Sequence, residues 1–408
     1  MAMTHWGVAL AAGANINIGM DDTCRDQAVA AIKEAVRLAA EQKGPPLITQ
    51  QEIDYVQALE MRYLHADKAT IPLDAEYRVA MERLIAKDKY PDDPNVLTLY
   101  ADSVMELRPW GLYDVAARPA IDTEEMVKKL EDAIAKEKRH LGANHYYIHA
   151  VEPSLTPERA REAADRLASL FPQGGHIQHM PGHIYMRQGL YDKVVTNNLE
   201  AIKADQEYLK VCPGPKCLAL YTGHYLSHNI LFLVAGHTML GQETPATGNA
   251  DSLRTIAEKF VDDQPGLERY MTAGIFTRAT FHRWDQLPTR QPADKYPLAL
   301  AVWHWGKGMA FAAQGNVIDA EGVVTLSIDP EQAPATAAAF TNDILPKIRS
   351  APGLVAGYWV DPVEGRGLAF VVFDTEENAR RSVPRSADWS APGVTIHGVE
   401  LRRVAVRV

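Results

Sequence analysis

Cysteine is scarce in this chain: Cys24, Cys212 and Cys217 are the only three in 408 residues. That is too few for a disulfide framework and fits a reducing compartment. Four residues, rather than the two of a zinc knuckle, separate the last two, so Cys212-Pro-Gly-Pro-Lys-Cys217 reads as a surface loop and not as a metal or redox site. Apolar runs long enough for a transmembrane helix are also missing. The stretch Trp6 to Ala12 is apolar but has no basic region before it and no cleavage site after it, so no secretory signal is read and a cytoplasmic location is expected. Charge of one sign never accumulates. The formal net charge of -10 is spread along the chain, which argues against nucleic acid or an anionic membrane as partner and leaves a small-molecule substrate.

What the chain does have is self-similarity. From His176 to Asp205, the residues Gly182, Tyr185, Gly189, Tyr191 and Ala201 fall at the small and aromatic anchor spacings of a tetratricopeptide repeat, and Arg187-Gln-Gly-Leu-Tyr-Asp-Lys-Val-Val resembles the core of that helix-turn-helix unit. Gly308, Gly315 and Ala320 mark a second copy. Weaker copies cover Asn95 to Leu107, Ala143 to Leu167, His228 to Gly241 and Arg269 to Leu287. The opening, Ala2 to Leu10, reads as the inside of a repeat helix rather than a cap, so this edge is an expected place of fraying or self-association. The expected fold is therefore mainly α, a helical-repeat solenoid over residues 1–320.

After Ala320 the period changes. Val323 to Ile328, Leu354 to Val360, Gly367 to Phe373 and Val399 to Val408 read as strands, with helices over Glu331 to Ser350 and Thr375 to Arg381. That order is βαββαβ, a ferredoxin-like α+β domain over 321–408. The segment from Gly365 to Arg380 resembles the dimeric α/β barrels related to antibiotic-biosynthesis monooxygenases. The resemblance implies a homodimer through this domain. With His397 as its one histidine and no cysteine, the domain has no evident catalytic set.

Seven of the fourteen histidines fall between His145 and His228. The motifs are Asn144-His-Tyr-Tyr-Ile-His-Ala-Val-Glu152, Gly175-His-Ile-Gln-His-Met-Pro-Gly-His-Ile-Tyr185 and Gly223-His-Tyr-Leu-Ser-His-Asn229. Side chains at i, i+3, i+4 and i+7 share a helix face, so His145, His149 and Glu152 lie together, as do His176, His179 and His183. Superposing the repeats puts His179 on His145, His183 on His149 and His228 on His176. The same stripe one repeat earlier carries Asp102 and Glu106. The expected ligands are thus His145, His149, His176, His179, His183, His228, Asp102 and Glu106, around one or two transition-metal ions. Neutral imidazoles four residues apart chelate one ion, and imidazole with few carboxylates suits copper, zinc or iron. Pro181 removes a backbone bond to the Ile177 carbonyl and bends the helix between two of these ligands. Tyr147, Tyr185 and Glu152 are the candidates for proton transfer or for orienting the ligands. His5, His65, His140, His237, His282 and His304 are left out, His304 as a buried hydrogen-bonded core residue beside Trp303 and Trp305.

Together, Trp6-Gly-Val-Ala-Leu, Leu99-Tyr-Ala-Asp-Ser and the first two histidine motifs resemble a group of bacterial His-rich tetratricopeptide-repeat proteins. The resemblance implies a repeat groove in which this stripe meets ligand. Relatives carry a second histidine where Leu231 stands here, which implies fewer ligands from the third repeat. A metalloenzyme carrying out oxidation or hydrolysis is the leading expectation. A peptide-binding scaffold would call for a groove rich in Lys, Arg and Asn, and metal storage or sensing is the third reading.

Overall fold

A computed structural model of the chain describes residues 1–17, 19–41, 48–63, 70–212, 214, 221–313, 320–363, 366–382 and 391–402. His65, Cys217, Gly315 and residues 403–408 lie outside the described residues. Contacts divide the chain into two compact units, Met1–Gln242 and Glu243–Val408.

The first unit is a tetratricopeptide-like array of short helices, each packed on its sequence neighbour. They are α1 (Ala2–Ala12), α2 (Asp22–Ala40), α3 (Gln50–Glu60), α4 (Thr70–Leu84), α5 (Pro94–Leu107), α6 (Thr123–Lys136), α7 (Leu141–Val151), α8 (Arg161–Leu170), α9 (Gly175–His179), α10 (Pro181–Arg187), α11 (Tyr191–Val211) and α12 (Ser227–Met239). Local sequence sets the boundaries. Thr49 and Glu52 form a capping box on α3, and the Asp93 carboxylate caps α5 ahead of Pro94 in its first turn. His140 Nδ1 accepts from the Ala143 amide at 3.0 Å and caps α7, a structural task that keeps it out of the histidine groups.

Burial follows the helical period. On α6, Met126, Val127, Leu130 and Ala133 are buried, facing α5 and α7. Between α10 and α11 the repeat anchor works by absence of side chain: a Cβ on Gly182 would stand 3.0 Å from Asn198 Nδ2, so glycine allows the close approach. Val194 and Ala201 on α11 are fully buried behind it. Pro181 does what its position requires. The first histidine helix ends at His179 and a new one, α10, begins at the proline.

The second unit begins with α13 (Glu243–Phe260), α14 (Ala273–Thr280) and α15 (Pro297–Ala313), where Ile275, Leu287 and Ala310 form a small core. Trp303 Nε1 donates to the Pro288 carbonyl at 2.9 Å. His304, expected in the core, is half-buried against the Trp303 ring instead. The rest is β1 (Ala320–Ile328), α16 (Ala333–Ala339), α17 (Leu345–Arg349), β2 (Leu354–Val363), β3 (Arg366–Phe373), α18 (Glu376–Ser382) and β4 (Val394–Arg402). The sheet is antiparallel throughout in the order β2-β3-β1-β4, the ferredoxin-like arrangement. Ile348, Val371, Phe373 and Ala379 fill its helix-covered face. The last strand starts at Val394, five residues before the sequence reading placed it, because Thr395 and Ile396 pair with Ser327 and Leu326. A bulge at His397 separates them from Gly398.

Candidate metal centre

The six histidines of the stripe come together in two groups of three. His145, His149 and His176 make one, and His179, His183 and His228 the other. Within each group the candidate ligand nitrogens lie within 4.8 Å of one another. The assembly rule is the same in both. One repeat supplies a pair at i and i+4, from α7 or from the α9–α10 bend, and the next repeat supplies a single ring at the equivalent position, His176 or His228.

In the first triad His145 Nε2 stands 3.1 Å from His149 Nε2 and 3.0 Å from His176 Nε2. Nitrogens bound about 2.0–2.1 Å from one tetrahedral ion are separated by roughly 3.3 Å, so the spacing matches a shared ligand shell. Burial, then repulsion from neighbouring imidazoles, pushes His149 and His176 well below the ordinary imidazole range, and His145 down to about 4. These rings are neutral at physiological pH and offer lone pairs.

The second triad carries the sharper evidence. His179 Nδ1 is 2.6 Å from Asn198 Oδ1, and the orientation of that amide is set because its Nδ2 donates to the Val194 carbonyl. His183 Nδ1 is 2.7 Å from Glu152 Oε1. Both partners are acceptors, so both rings carry hydrogen on Nδ1 and, when neutral, a lone pair on Nε2. The two Nε2 atoms face each other at 2.8 Å. Two lone pairs at that distance repel unless a metal cation, or a proton carried by one of the rings, lies between them. Glu152 itself is opposed by burial but held below the usual carboxylate range by His183 and Arg187. Phe232, one turn after His228, packs on all three rings, with centroids 4.6, 4.7 and 5.0 Å away. The triads adjoin: ring centroids of His176 and His179 are 6.1 Å apart, and those of His149 and His183 are 6.2 Å apart.

The remaining residues expected at the site go elsewhere. Asp102 and Glu106 are buried but enter neither triad. Arg62, 2% exposed, pairs with Glu106 and, at 2.9 Å, with Asp74. Three carboxylates around one guanidinium leave excess buried negative charge. Burial accordingly raises Asp74, Asp102 and Glu106. Asp102 reaches the first triad only indirectly, through a hydrogen bond to Tyr146, whose ring stacks on His145 at 5.1 Å. Tyr147 and Tyr185 stand two residues from a ligand histidine, on the opposite helix face. Tyr147 donates to Glu131 at 2.8 Å beside a cavity of ≈ 400 Å³ lined also by Arg159 and Arg161, and Tyr185 donates to Asp165 at 2.8 Å. Of the three candidates for proton transfer, Glu152 alone contacts a ring of the two triads. Cys212 is disulfide-bonded, which corrects the reading of its loop as reduced thiols.

Sequence reasoning missed Asn198, Phe232 and Trp110. Phe232 was signalled by its i+4 spacing from His228. Asn198 sits on a different helix from its ring, and Trp110 on the loop after α5.

No helix of the described residues is long and apolar enough to cross a membrane. No protein-family model matches the chain, and no curated protein sequence matches it. Among solved structures, the human IFIT1 dimer with PPP-AAAA is similar over 72% of this chain and 84% of its own, at 13% identity and a TM-score of 0.25. A likeness at that level carries no argument.

Proposed function

We propose that this protein is a two-site metalloprotein, each site made by three histidines, and that it acts as an enzyme on a small molecule. The observation that carries the reading is the pair of Nε2 atoms of His179 and His183, 2.8 Å apart with both Nδ1 atoms committed to acceptors. All-imidazole sites suit copper, zinc or iron and disfavour magnesium and calcium. Three protein ligands leave an open position on each ion, the arrangement of catalytic rather than structural sites. Bound ions would supply Lewis acidity or, for copper and iron, electron transfer, in oxidation or hydrolysis of the substrate.

The chain's own residues do the rest. Glu152 and Asn198 fix the tautomer and angle of their rings, Phe232 packs on the rings of the second triad, and the half-buried His145 and His176 place the first triad where a substrate reaches it. Protein purified without an affinity tag should carry two equivalents of transition metal, measured by elemental analysis. Tag-free protein that neither retains nor takes up metal would return the chain to the scaffold reading usual for helical repeats. Two bound ions without turnover of any small molecule would favour storage or sensing.

For the ferredoxin-like sheet we propose self-association. Val355 on β2 and Leu401 on β4, 47% and 36% exposed on the two edge strands, support it. A full-length chain that sediments as a monomer would remove that part.

A further inference from the structure

The two triads differ in what surrounds their rings. Each imidazole of the first triad has its own aromatic neighbour: Tyr146 on His145 at 5.1 Å, Trp110 edge-on to His149 at 5.7 Å, and Tyr225 edge-on to His176 at 5.4 Å. Two of the three imidazoles are only half-buried. Trp110 is 58% exposed, an unusual state for the largest apolar side chain beside a polar site. Its backbone is left-handed, φ 62°, a conformation that costs a bulky residue and persists only where the surroundings impose it. Ala117 and Asp122 on the same loop are left-handed too, at φ 57° and 70°. Arg118, on this loop, is tied to Asp114 at 2.6 Å, and Arg108 donates to the Ile121 carbonyl at 2.9 Å, so these cations are turned into the loop's own structure.

From this arrangement we infer that Trp110 is a stacking platform at the mouth of the first triad, and that its exposed ring, packed edge-on to His149, takes a planar, uncharged aromatic molecule of the phenol class. The inference rests on the small-molecule reading above and gives it a substrate class. Three observations argue for that occupant. A flat apolar ring is presented to solvent next to the candidate ligands. Among the described residues of the Trp110 loop, Arg108 and Arg118 are engaged by the Ile121 carbonyl and the Asp114 carboxylate, which favours an uncharged occupant over a carboxylate or phosphate. Offset or edge-on packing against an exposed indole rewards a planar π face over an aliphatic ring of equal size.

The test uses two probes of similar size, 4-fluorophenol and 4-fluorocyclohexanol, titrated against the full-length protein by fluorine NMR, both zinc-loaded and metal-free. Wild-type protein should bind the phenol more tightly than the alcohol in both forms. Trp110→Ala should weaken phenol binding about 5-fold, with metal content unchanged, and Trp110→Phe should restore most of it. Equal binding of the two probes, or phenol binding indifferent to Trp110→Ala, overturns the inference. Because the platform belongs to the chain and not to the metal, a metal-free protein that still discriminates the probes through Trp110 would sustain it even if the two-ion reading failed.

Discussion

Behind the rings of His179 and His183 stand Asn198 and Glu152, whereas the Nδ1 atoms of His149 and His176 are buried with no hydrogen-bond partner among the described residues. The two triads share an assembly rule and differ in finish. The second is oriented from behind and packed against Phe232; the first has two half-buried rings and is ringed by Tyr146, Trp110 and Tyr225. Outer hydrogen bonds raise the basicity of a ligand imidazole and lock its angle. If both triads take metal as proposed, the second is suited to hold an ion and the first to exchange ligands.

The largest effects come from the rings themselves. His183→Ala should remove the ion of the second triad and leave the first occupied; His149→Ala should do the reverse. Helical content should stay near wild type, since each repeat's core is built on other faces. Metal-to-protein ratios beside far-ultraviolet circular dichroism check this, and loss of both ions in either variant would merge the triads into one cluster.

Next come the partners behind the rings. Asn198→Ala and Glu152→Gln should each weaken metal binding at the second triad by about 10- to 100-fold, read by competition with a chelator. The first triad should keep its affinity. If both sites weaken alike, the difference in finish carries no consequence.

A smaller, asymmetric effect is expected at Gly175, where an added Cβ would meet Asp205 Oδ1 at 1.8 Å. Gly175→Ala must displace the Asp205 carboxylate or the start of α9 with His176; the α9 shift should cost the first triad affinity while His183 and His228 keep theirs. Unchanged affinity at the first triad would mean that Asp205 gives way and α9 holds its place.

The smallest effect on metal content, and the clearest on stability, belongs to Asp205. Burial raises its carboxyl to about 7, against the hydrogen bond from Asn229. A carboxyl raised in the folded state binds more protons there than in the unfolded chain, so it lowers stability as pH climbs from about 4 and the loss levels off beyond about 7. Asp205→Asn should remove that slope, raising Tm at pH 8 more than at pH 4 with metal content intact. An equal change at both pH values would mean that Asp205 does not titrate in this range.

How much of this was legible in the sequence follows from which distances are local. The pairs His145/His149 and His179/His183 are one helical turn apart, so spacing alone placed each pair on one face, and superposing the repeats found their equivalence. The division into three and three was not legible, because the closing ring of each triad crosses a repeat junction. The carboxylates were misassigned for a related reason. Asp102 and Glu106 occupy the stripe positions of a pair, but the equivalent of His176 in the next repeat is Gly142, and Arg62 from the turn after α3 supplies the counter-charge instead. No local pattern announces that arginine. Tyr147 and Tyr185 were legible and misread: two residues is half a turn, and their hydroxyls point to Glu131 and Asp165. In the sheet, strand order was readable from the βαββαβ sequence, while the early start of β4 depended on pairing with β1 across the fold.

The most direct test of the central claim is a crystal structure of the tag-free protein with anomalous difference maps collected at the absorption edges of copper, zinc and iron. Two peaks per chain are expected, one shared by the Nε2 atoms of His145, His149 and His176 and one by the Nε2 atoms of His179 and His183 with His228 completing the set. A map without peaks there, in which a protonated His183 donates to His179 Nε2 while paired with Glu152, would contradict it.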